Sequence, residues 1–205
     1  MKKENSINTD KSKIKGLLNE VFEEIESRSL GNSEAGKTMS FYDLDAMTQG
    51  LSPGNLYVIG GRPAMGKTSF VLNIAKNIGQ IHNLPICFFS LETSKKMLSY
   101  RLLSMETGIE SGRLKTGRLT QEEWPILGEA IYFLSENPIY LIDKPSIQVS
   151  EIYQFCEEVK NIHKKDLGVI IIDFLQLMED KSLGKNISRE DEISKIMNDL
   201  KNLSI

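Results

Sequence analysis

The chain has 205 residues, of which 40% are hydrophobic and 26% are charged, and its formal net charge is −3. These values are typical of a globular protein long enough to bury a core, and they exclude a protein that binds nucleic acid through bulk positive charge. The sequence has no apolar run of membrane-spanning length, and the lysines of "MKKENSINTDKSK" precede no apolar core of a secretory signal. We therefore expect an aqueous compartment and no membrane partner.

Only two cysteines occur, Cys87 and Cys156, and each stands among apolar neighbours. We predict that both are small hydrophobic residues of the core. The sequence contains no metal-ligand spacing of cysteine and histidine.

The N-terminal part of the chain precedes the main domain. Residues 1–12 are polar and are predicted to be disordered. Residues 13–30 are predicted to form an amphipathic helix, because the apolar positions Ile14, Leu17, Leu18, Val21, Phe22 and Ile25 fall on one stripe. Gly31 is a plausible stop for this helix, and residues 31–40 are predicted to be a linker. The periodicity leaves open whether the stripe packs on its own domain or on a neighbouring subunit.

Residues 41–205 alternate between strand and helix patterns. The predicted strands are "NLYVIG", "PICFFSLE", "PIYLID" and "LGVIIIDFLQLM", and the last of them is expected to be fully buried. Helices are predicted over "KTSFVLNIAKNIGQ", in three pieces over residues 94–137, over "SEIYQFCEEVKNIHKK" and over "REDEISKIMNDLKNL". Continuous apolar strands that alternate with helices indicate an α/β domain with a mainly parallel sheet flanked by helices.

The stretch "GGRPAMGKTS" matches the pattern of a phosphate-binding loop between a strand and a helix. Its glycines let backbone N–H groups surround a phosphate, and the following helix adds its dipole. In this pattern Lys67 reaches the β- and γ-phosphates and Thr68 ligates Mg²⁺, which predicts ATP and Mg²⁺ as cofactors. A plain glycine turn is the alternative. The predicted nucleotide-binding residues are Gly61, Arg62, Pro63, Ala64, Met65, Gly66, Lys67 and Thr68.

Two carboxylates follow apolar strands. Asp173 ends "VIIID" and, given the upstream loop, is interpreted as the second group that holds Mg²⁺, rather than as a turn residue. Glu92 ends another strand, and the carboxyl ends of parallel strands meet at one edge, so Glu92, Lys67 and Asp173 can converge on one ligand. Glu92 can orient or deprotonate water, or it can stabilise the start of the next helix. Spacing alone leaves both interpretations open.

Six ordered motifs carry a resemblance to a known family. They are "FYDLDAMTQGLSPGNL", "GGRPAMGKTSF", "FFSLETS", "GRLKTGRLTQEEW", "IDKPSIQVSEI" and "IIIDFLQLM". Together they closely resemble the C-terminal motor domain of DnaB-type replicative DNA helicases, over about residues 14–203. The resemblance implies a RecA-like ATPase that assembles into a hexameric ring, encircles single-stranded DNA and unwinds duplex DNA at the replication fork.

The resemblance also implies residue roles. Gly61 to Thr68 resemble the family's nucleotide-binding loop, Asp173 its Mg²⁺-directing aspartate and Glu92 its catalytic glutamate, so that Glu92, Lys67 and Asp173 are the implied catalytic residues. The helix at residues 14–27 resembles the linker helix that docks on the adjacent subunit. The loop after Met178 resembles one that faces the ring channel, so that Lys181, Lys185 and Arg189 are candidate DNA contacts, with a solvated charged loop as the alternative. Primase and a helicase loader are possible partners.

The ends of the sequence depart from the family pattern. Since no motifs of the family's N-terminal helical domain or of its later core strands, with the arginine finger, are found in this sequence, we expect a partial RecA-like domain. The strand that lies between the phosphate-loop strand and the Asp173 strand is among them, which predicts unpaired edges there. The resemblance leads us to expect weak nucleotide binding and little ATP hydrolysis from this chain alone.

Two alternative functions stay open at this point. One is an inactive truncated or split gene product that binds nucleotide without helicase activity. The other is a related RecA-like recombinase or clock-type ATPase, against which "RLKTGRLTQEEW" and "PSIQVSEI" argue. The expected location is a bacterial cytoplasm or a plastid stroma, because abundant Ile, Lys and Asn hint at an A+T-rich genome.

Overall fold

The computed structural model describes residues 14–31, 35–180 and 187–204. The chain divides into two compact units, residues 1–36 and residues 37–205. The N-terminal segment predicted to be disordered, residues 1–12, lies outside the described residues. None of the helices in the described part of the chain is both long and apolar enough to cross a membrane.

The smaller unit contains helix α1, which spans Ile14–Ser29. An ion pair one turn apart, between Arg28 and Glu24 at 3.0 Å, lies near its carboxyl end. Gly31 follows with a φ of +70°, the left-handed conformation in which glycine commonly ends a helix. The helix therefore forms where the apolar stripe predicts it, whereas its docking on a neighbouring subunit stays a prediction.

The larger unit is built on a parallel sheet of three strands in the order β2–β1–β3. The strands are β1 (Ile86–Ser90), β2 (Ile139–Asp143) and β3 (Val169–Asp173). Its helices are α2 (Tyr42–Thr48), α3 (Lys67–His82), α4 (Lys95–Thr107), α5 (Ser111–Thr116), α6 (Glu123–Ser135), α7 (Val149–His163) and α8 (Arg189–Leu203), and a 3₁₀ turn spans Leu175–Leu177. The predicted α/β architecture with a parallel sheet is confirmed.

Helices cover both faces of the sheet. Successive side chains of β1 belong alternately to two buried clusters, so the core has two layers. Ile86 and Phe88 belong to a cluster with α3 and α4, whereas Cys87 and Phe89 belong to a cluster with α7 and α8. Cys156 on α7 is buried in the second cluster, as predicted for both cysteines. A hydrogen bond with Cys156, together with burial, raises the pKa of the Cys87 thiol, which keeps the thiol protonated and unreactive.

The prediction of a strand over residues 55–60, "NLYVIG", is wrong. These residues belong to no strand, and Val58 is 70% exposed. The physical reason is the lack of a hydrogen-bonding neighbour, since within the described residues β3 pairs with β1 alone. The prediction that β3 is fully buried is also wrong, since only Ile171 and Asp173 of its residues are buried. The lack of a second neighbouring strand explains this exposure as well. The unpaired edge of β3 agrees with the expectation from the family pattern.

The carboxyl end of the predicted linker, residues 37–40, packs with the larger unit. Lys37 pairs with Leu51 in an antiparallel bridge, and Met39 is 2% exposed within the core cluster of α3 and α4. The Asp45 carboxylate accepts hydrogen bonds from the Met39 backbone N–H at 2.8 Å and from the Thr38 hydroxyl at 2.7 Å. These bonds hold the chain that enters the domain.

Gly168, just before β3, occupies a place with no room for a side chain. A Cβ there would lie 2.9 Å from both Ile78 Cγ2 and Ile86 Cδ1, which are fully buried. We expect Gly168→Ala to lower the free energy of unfolding by about 1–3 kcal/mol, because the core has no space for the methyl group. Chemical denaturation with this variant and the control below measures the difference.

Gly128→Ala is the matched control. Gly128 lies in the exposed interior of α6 with nothing within 4 Å of its added Cβ, so alanine there should raise stability by about 0.5–1 kcal/mol. Equal effects of the two substitutions would contradict the packing described at Gly168.

Candidate functional site

The phosphate-loop sequence forms an exposed turn that opens α3. Gly66 has a φ of +84° and is the residue before the helix, which begins at Lys67. No side chain caps this end, and the first N–H groups of a helix have no intrahelical partners. The loop residues Gly61 to Gly66 are all exposed. The backbone donors and the positive end of the helix dipole are therefore available to an anion.

The Lys67 side chain folds back over the loop. Its Nζ donates to the carbonyl oxygens of Gly61 at 2.8 Å and of Arg62 at 3.0 Å. Between these residues and the helix the chain makes a turn in which Ala64 has a φ of +62° and Met65 N–H lies 3.4 Å from the Arg62 carbonyl. The ammonium group thus sits within the curve of the loop, where it can exchange its carbonyl partners for phosphate oxygens.

The strand register places polar side chains in one row at the carboxyl edge of the sheet. Ser90, the last residue of β1, pairs with Asp143 of β2 on one side and with Asp173 of β3 on the other. The Leu91 N–H donates to the Asp173 carbonyl at 2.8 Å, which continues the pairing one residue further. Glu92 follows at the same edge. The convergence of Glu92 and Asp173 on one ligand, expected from parallel strands, stays a prediction.

The direction of α3 brings the phosphate loop to this edge. Ile78, near the carboxyl end of α3, lies against Gly168, at the amino end of β3. The 16 residues of α3 span about 24 Å, more than the roughly 17 Å of a five-residue strand. Since its carboxyl end lies at the amino end of the strands, its amino end, with Lys67 and Thr68, lies towards their carboxyl edge.

The three carboxylates of the edge differ in their partners. Asp173 is 8% exposed, yet its carboxylate makes no hydrogen bond or ion pair with the described residues. The exposed Glu92 also makes none with them. Asp143 accepts from the Lys95 backbone N–H at 3.0 Å and lies 3.7 Å from the Lys95 ammonium, and this backbone hydrogen bond lowers the pKa of Asp143. The Asp143 carboxylate therefore stabilises the amino end of α4. The carboxylates of Asp173 and Glu92 have no described partner that a ligand would have to displace.

The donors at this edge fit a divalent cation held mainly by a bound phosphate. Mg²⁺ is typically bound through one or two carboxylates together with substrate phosphates rather than by an all-protein cage. Asp173 supplies a nearly buried carboxylate that lacks a described protein partner, and Thr68 supplies a hydroxyl in the first turn of α3. Within the described residues no group of three or more His, Cys, Asp or Glu side chains that could hold a metal ion by themselves occurs, at this edge or elsewhere.

Of the three candidate DNA contacts, only Arg189 lies within the described residues. Lys181 and Lys185 lie outside the described residues. Arg189 donates through Nη2 to the carbonyl oxygens of Gln176 at 2.9 Å and of Met178 at 2.7 Å, so its guanidinium is engaged within the fold. Arg189 is nevertheless exposed, and its role as a DNA contact stays a prediction.

Sequence reasoning missed Asp143, Ser90 and the internal bonds of Arg189. Asp143 ends a short apolar strand in the same way as Asp173, a signal that could have placed it at the edge. Ser90 is 1% exposed and its hydroxyl accepts from the Thr93 N–H at 3.1 Å, which fixes the turn that carries Glu92. For Arg189 the sequence holds no such signal, because its partners are backbone carbonyls.

A parallel sheet with a phosphate loop at the head of α3 and carboxylates at the same edge defines a P-loop NTPase domain of RecA-like fold. The chain matches the family described as DnaB-like helicase C terminal domain over residues 36–205, and it belongs to that family. Members of this family use a nucleotide and a metal ion.

Several known proteins are similar over most of this chain. The replicative DNA helicase DnaB of Nostoc sp. is 46% identical over 183 residues, which are 89% of this chain and 20% of that protein. The probable replicative DNA helicase of Trieres chinensis is 40% identical over 188 residues, which are 92% of this chain and 41% of that protein. The chain thus spans between a fifth and about two fifths of these relatives.

Solved structures agree with this assignment. One solved ATPase domain superposes with a TM-score of 0.85 at 33% identity, over 94% of this chain and 67% of that one. A DnaB-like replicative helicase, studied with its interactions with primase, superposes with a TM-score of 0.80 at 32% identity, over 98% of this chain and 46% of that one. The RecA-like fold implied by the sequence motifs is confirmed.

The loop conformation gives a prediction about Gly66. Its φ of +84° is unfavourable for any residue with a side chain, although a Cβ there would meet nothing within 4 Å. We expect Gly66→Ala to cost about 1–2 kcal/mol of folding free energy through backbone strain alone. Gly60→Ala, which meets nothing within 4 Å and needs no positive φ, should change stability little. Thermal and chemical denaturation compare the two, and equal stability would contradict the loop conformation.

Proposed function

We propose that this chain is the ATP-binding and ATP-hydrolysing part of a replicative DNA helicase motor. The observation that carries the proposal is Asp173, a nearly buried carboxylate without a described partner, at the same sheet edge as the phosphate loop. A carboxylate at this edge without a described partner can pair with a nucleotide-bound Mg²⁺. Membership of the DnaB-like family supports DNA as the track.

The loop and the start of α3 bind the phosphates of ATP. Backbone N–H groups around Gly66 and the dipole of the 16-residue α3 attract the negative charge. Lys67 releases the carbonyl oxygens of Gly61 and Arg62 and binds the β- and γ-phosphates as a cation. The exposed positions of residues 63–65 let the phosphates approach the backbone closely.

The residues that hold the metal lie on α3 and β3. When bound with ATP, Mg²⁺ neutralises charge on the β- and γ-phosphates and so favours cleavage of the terminal phosphoryl group. The Thr68 hydroxyl and the Asp173 carboxylate are the groups that would hold the metal. Asp143 takes no part, because Lys95 already satisfies it.

Glu92 orients and deprotonates the attacking water. The Ser90 bond to the Thr93 N–H fixes the turn on which Glu92 stands, and the carboxylate has no described partner to release before it accepts a proton. Position at the carboxyl edge and a free carboxylate are the two requirements for a general base beside a triphosphate. The alternative role, stabilising the start of α4, is filled by Ser94 and Asp143, which accept from the first-turn N–H groups.

The assembly we propose is a homo-hexameric ring around single-stranded DNA. In it the apolar stripe of residues 14–27 docks on an adjacent subunit, which matches the amphipathic character of α1. Primase and a loader are proposed partners, and one solved relative is described with its interactions with primase. Relatives from Nostoc sp. and Trieres chinensis support a bacterial cytoplasm or a plastid stroma as the location.

The first test concerns Lys67. Lys67→Ala should weaken binding of a fluorescent ATP analogue about 10- to 150-fold, because a charge-assisted hydrogen bond contributes roughly 1.5–3 kcal/mol. Lys76→Ala is the control, since Lys76 lies on the same helix but pairs with Glu106 at 3.0 Å. Equal affinities of the two variants, measured by titration, would contradict the proposed nucleotide site.

The second test concerns Glu92 and hydrolysis. Glu92→Gln should reduce even the slow phosphate release expected of this chain, followed with radiolabelled ATP, about 10²- to 10⁴-fold, the usual contribution of a general base. Nucleotide affinity should stay unchanged, because the phosphate contacts remain. Glu158→Gln, exposed on α7, is the control. A Glu92→Gln chain that hydrolyses ATP as fast as this control would overturn the assignment of Glu92.

A further inference from the structure

The first turn of α8 is tied to the segment that follows Asp173. Arg189, the first residue of α8, donates through Nη2 to two carbonyl oxygens of this segment, those of Gln176 at 2.9 Å and of Met178 at 2.7 Å. Its Nη1 forms an ion pair with Glu192 one turn along the helix. A guanidinium can make such contacts at once because its donors form a rigid fork.

Glu192, three residues after Arg189 on α8, binds the same segment at Asp180. Its Oε1 accepts from the Asp180 N–H at 2.8 Å, and the Asp180 carboxylate pairs with Lys195 on the next turn of α8. The hydrogen bond from Asp180 and the contact with Arg189 lower the pKa of Glu192, so that it is ionised at neutral pH. Three backbone groups of residues 176–180 are thereby held by two side chains of α8.

The held segment connects rigidly to Asp173. A 3₁₀ turn spans Leu175–Leu177, with the Leu177 N–H donating to the Phe174 carbonyl at 3.1 Å. Met178 is fully buried in the cluster of α7 and α8. The backbone from Asp173 to Met178 is therefore held by local hydrogen bonds and by core packing.

The Asp173 carboxylate has no described partner that would fix it directly. Its position depends on its backbone, which β1 holds on one side of the residue and the segment 174–180 holds on the other. The geometry points to Arg189 as a positioning residue that, through residues 174–178, holds Asp173 where it meets the metal of bound ATP. This inference rests on the proposed function and adds a residue on α8 to the site.

The experiment measures how much Mg²⁺ increases the affinity of the chain for a nucleotide. Titration of the whole chain with a fluorescent, non-hydrolysable ATP analogue gives one Kd with Mg²⁺ and one with EDTA. Arg189→Ala should reduce the gain in affinity due to Mg²⁺ about tenfold or more, the usual effect of losing a group that positions a metal ligand. The Kd in EDTA should stay unchanged, because Lys67 and the loop are intact. Arg189→Lys, which keeps the charge but loses the fork, should show a smaller reduction.

The control is Arg113→Ala, which removes a two-bond contact with Glu123 at 2.6 and 2.7 Å remote from the site. It controls for the general loss of an arginine ion pair and should leave the Mg²⁺ gain unchanged. Amide hydrogen exchange of Leu177 and Met178 provides a second readout without nucleotide. Exchange there should rise about tenfold or more in Arg189→Ala and stay unchanged in Arg113→Ala.

Asp173→Asn separates this inference from the proposed function. If Asp173→Asn loses the Mg²⁺ gain while Arg189→Ala keeps it, the positioning role is overturned and the proposed function stands. If the unsubstituted chain shows no Mg²⁺ gain at all, the proposed function is contradicted together with this inference. Unchanged exchange at Leu177 and Met178 in Arg189→Ala would also overturn it.

Discussion

The parallel pairing of β1 with both of its neighbours is the constraint on which the rest of the site depends. This pairing sets Asp143, Ser90 and Asp173 side by side at one edge. Because β1 is buried along its whole length and divides the core into two layers, a shift of register by one residue would exchange the two layers. The packing of helices on both faces therefore fixes where the carboxylates of the edge lie.

The role that each carboxylate at this edge can have depends on whether another group of the protein already binds it. Asp143 and Asp173 end equivalent strands, yet Lys95 satisfies the first through its backbone and side chain, whereas the second has no described partner despite being 8% exposed. Charge that is buried without a partner is costly. In the proposed function, a cation that arrives with the nucleotide pairs with the Asp173 carboxylate. Arg189 contributes by binding the backbone that follows Asp173.

Local signals predicted much of this structure, and the failures have one physical cause. The loop from Gly61 to Thr68 depends on the conformation of its glycines, and the start of α8 at Arg189 depends on the cap by Ser188. Both signals are local, so the sequence was sufficient to predict these two features. The strand expected at residues 55–60 failed because an apolar run becomes a strand only beside a hydrogen-bonding neighbour. The partners of Arg189 and Asp143 also lie far along the chain or on its backbone, where no pattern reveals them.

A structure of the chain with Mg²⁺ and a non-hydrolysable ATP analogue tests the central claim most directly. We expect the γ-phosphate beside Lys67, the metal at about 2.1 Å from the Thr68 hydroxyl oxygen, Asp173 linked to it through water and Glu92 facing the γ-phosphate. Asp143 should keep its contact with Lys95. A nucleotide bound away from this sheet edge, or an Asp173 carboxylate turned away from the metal, would contradict the account.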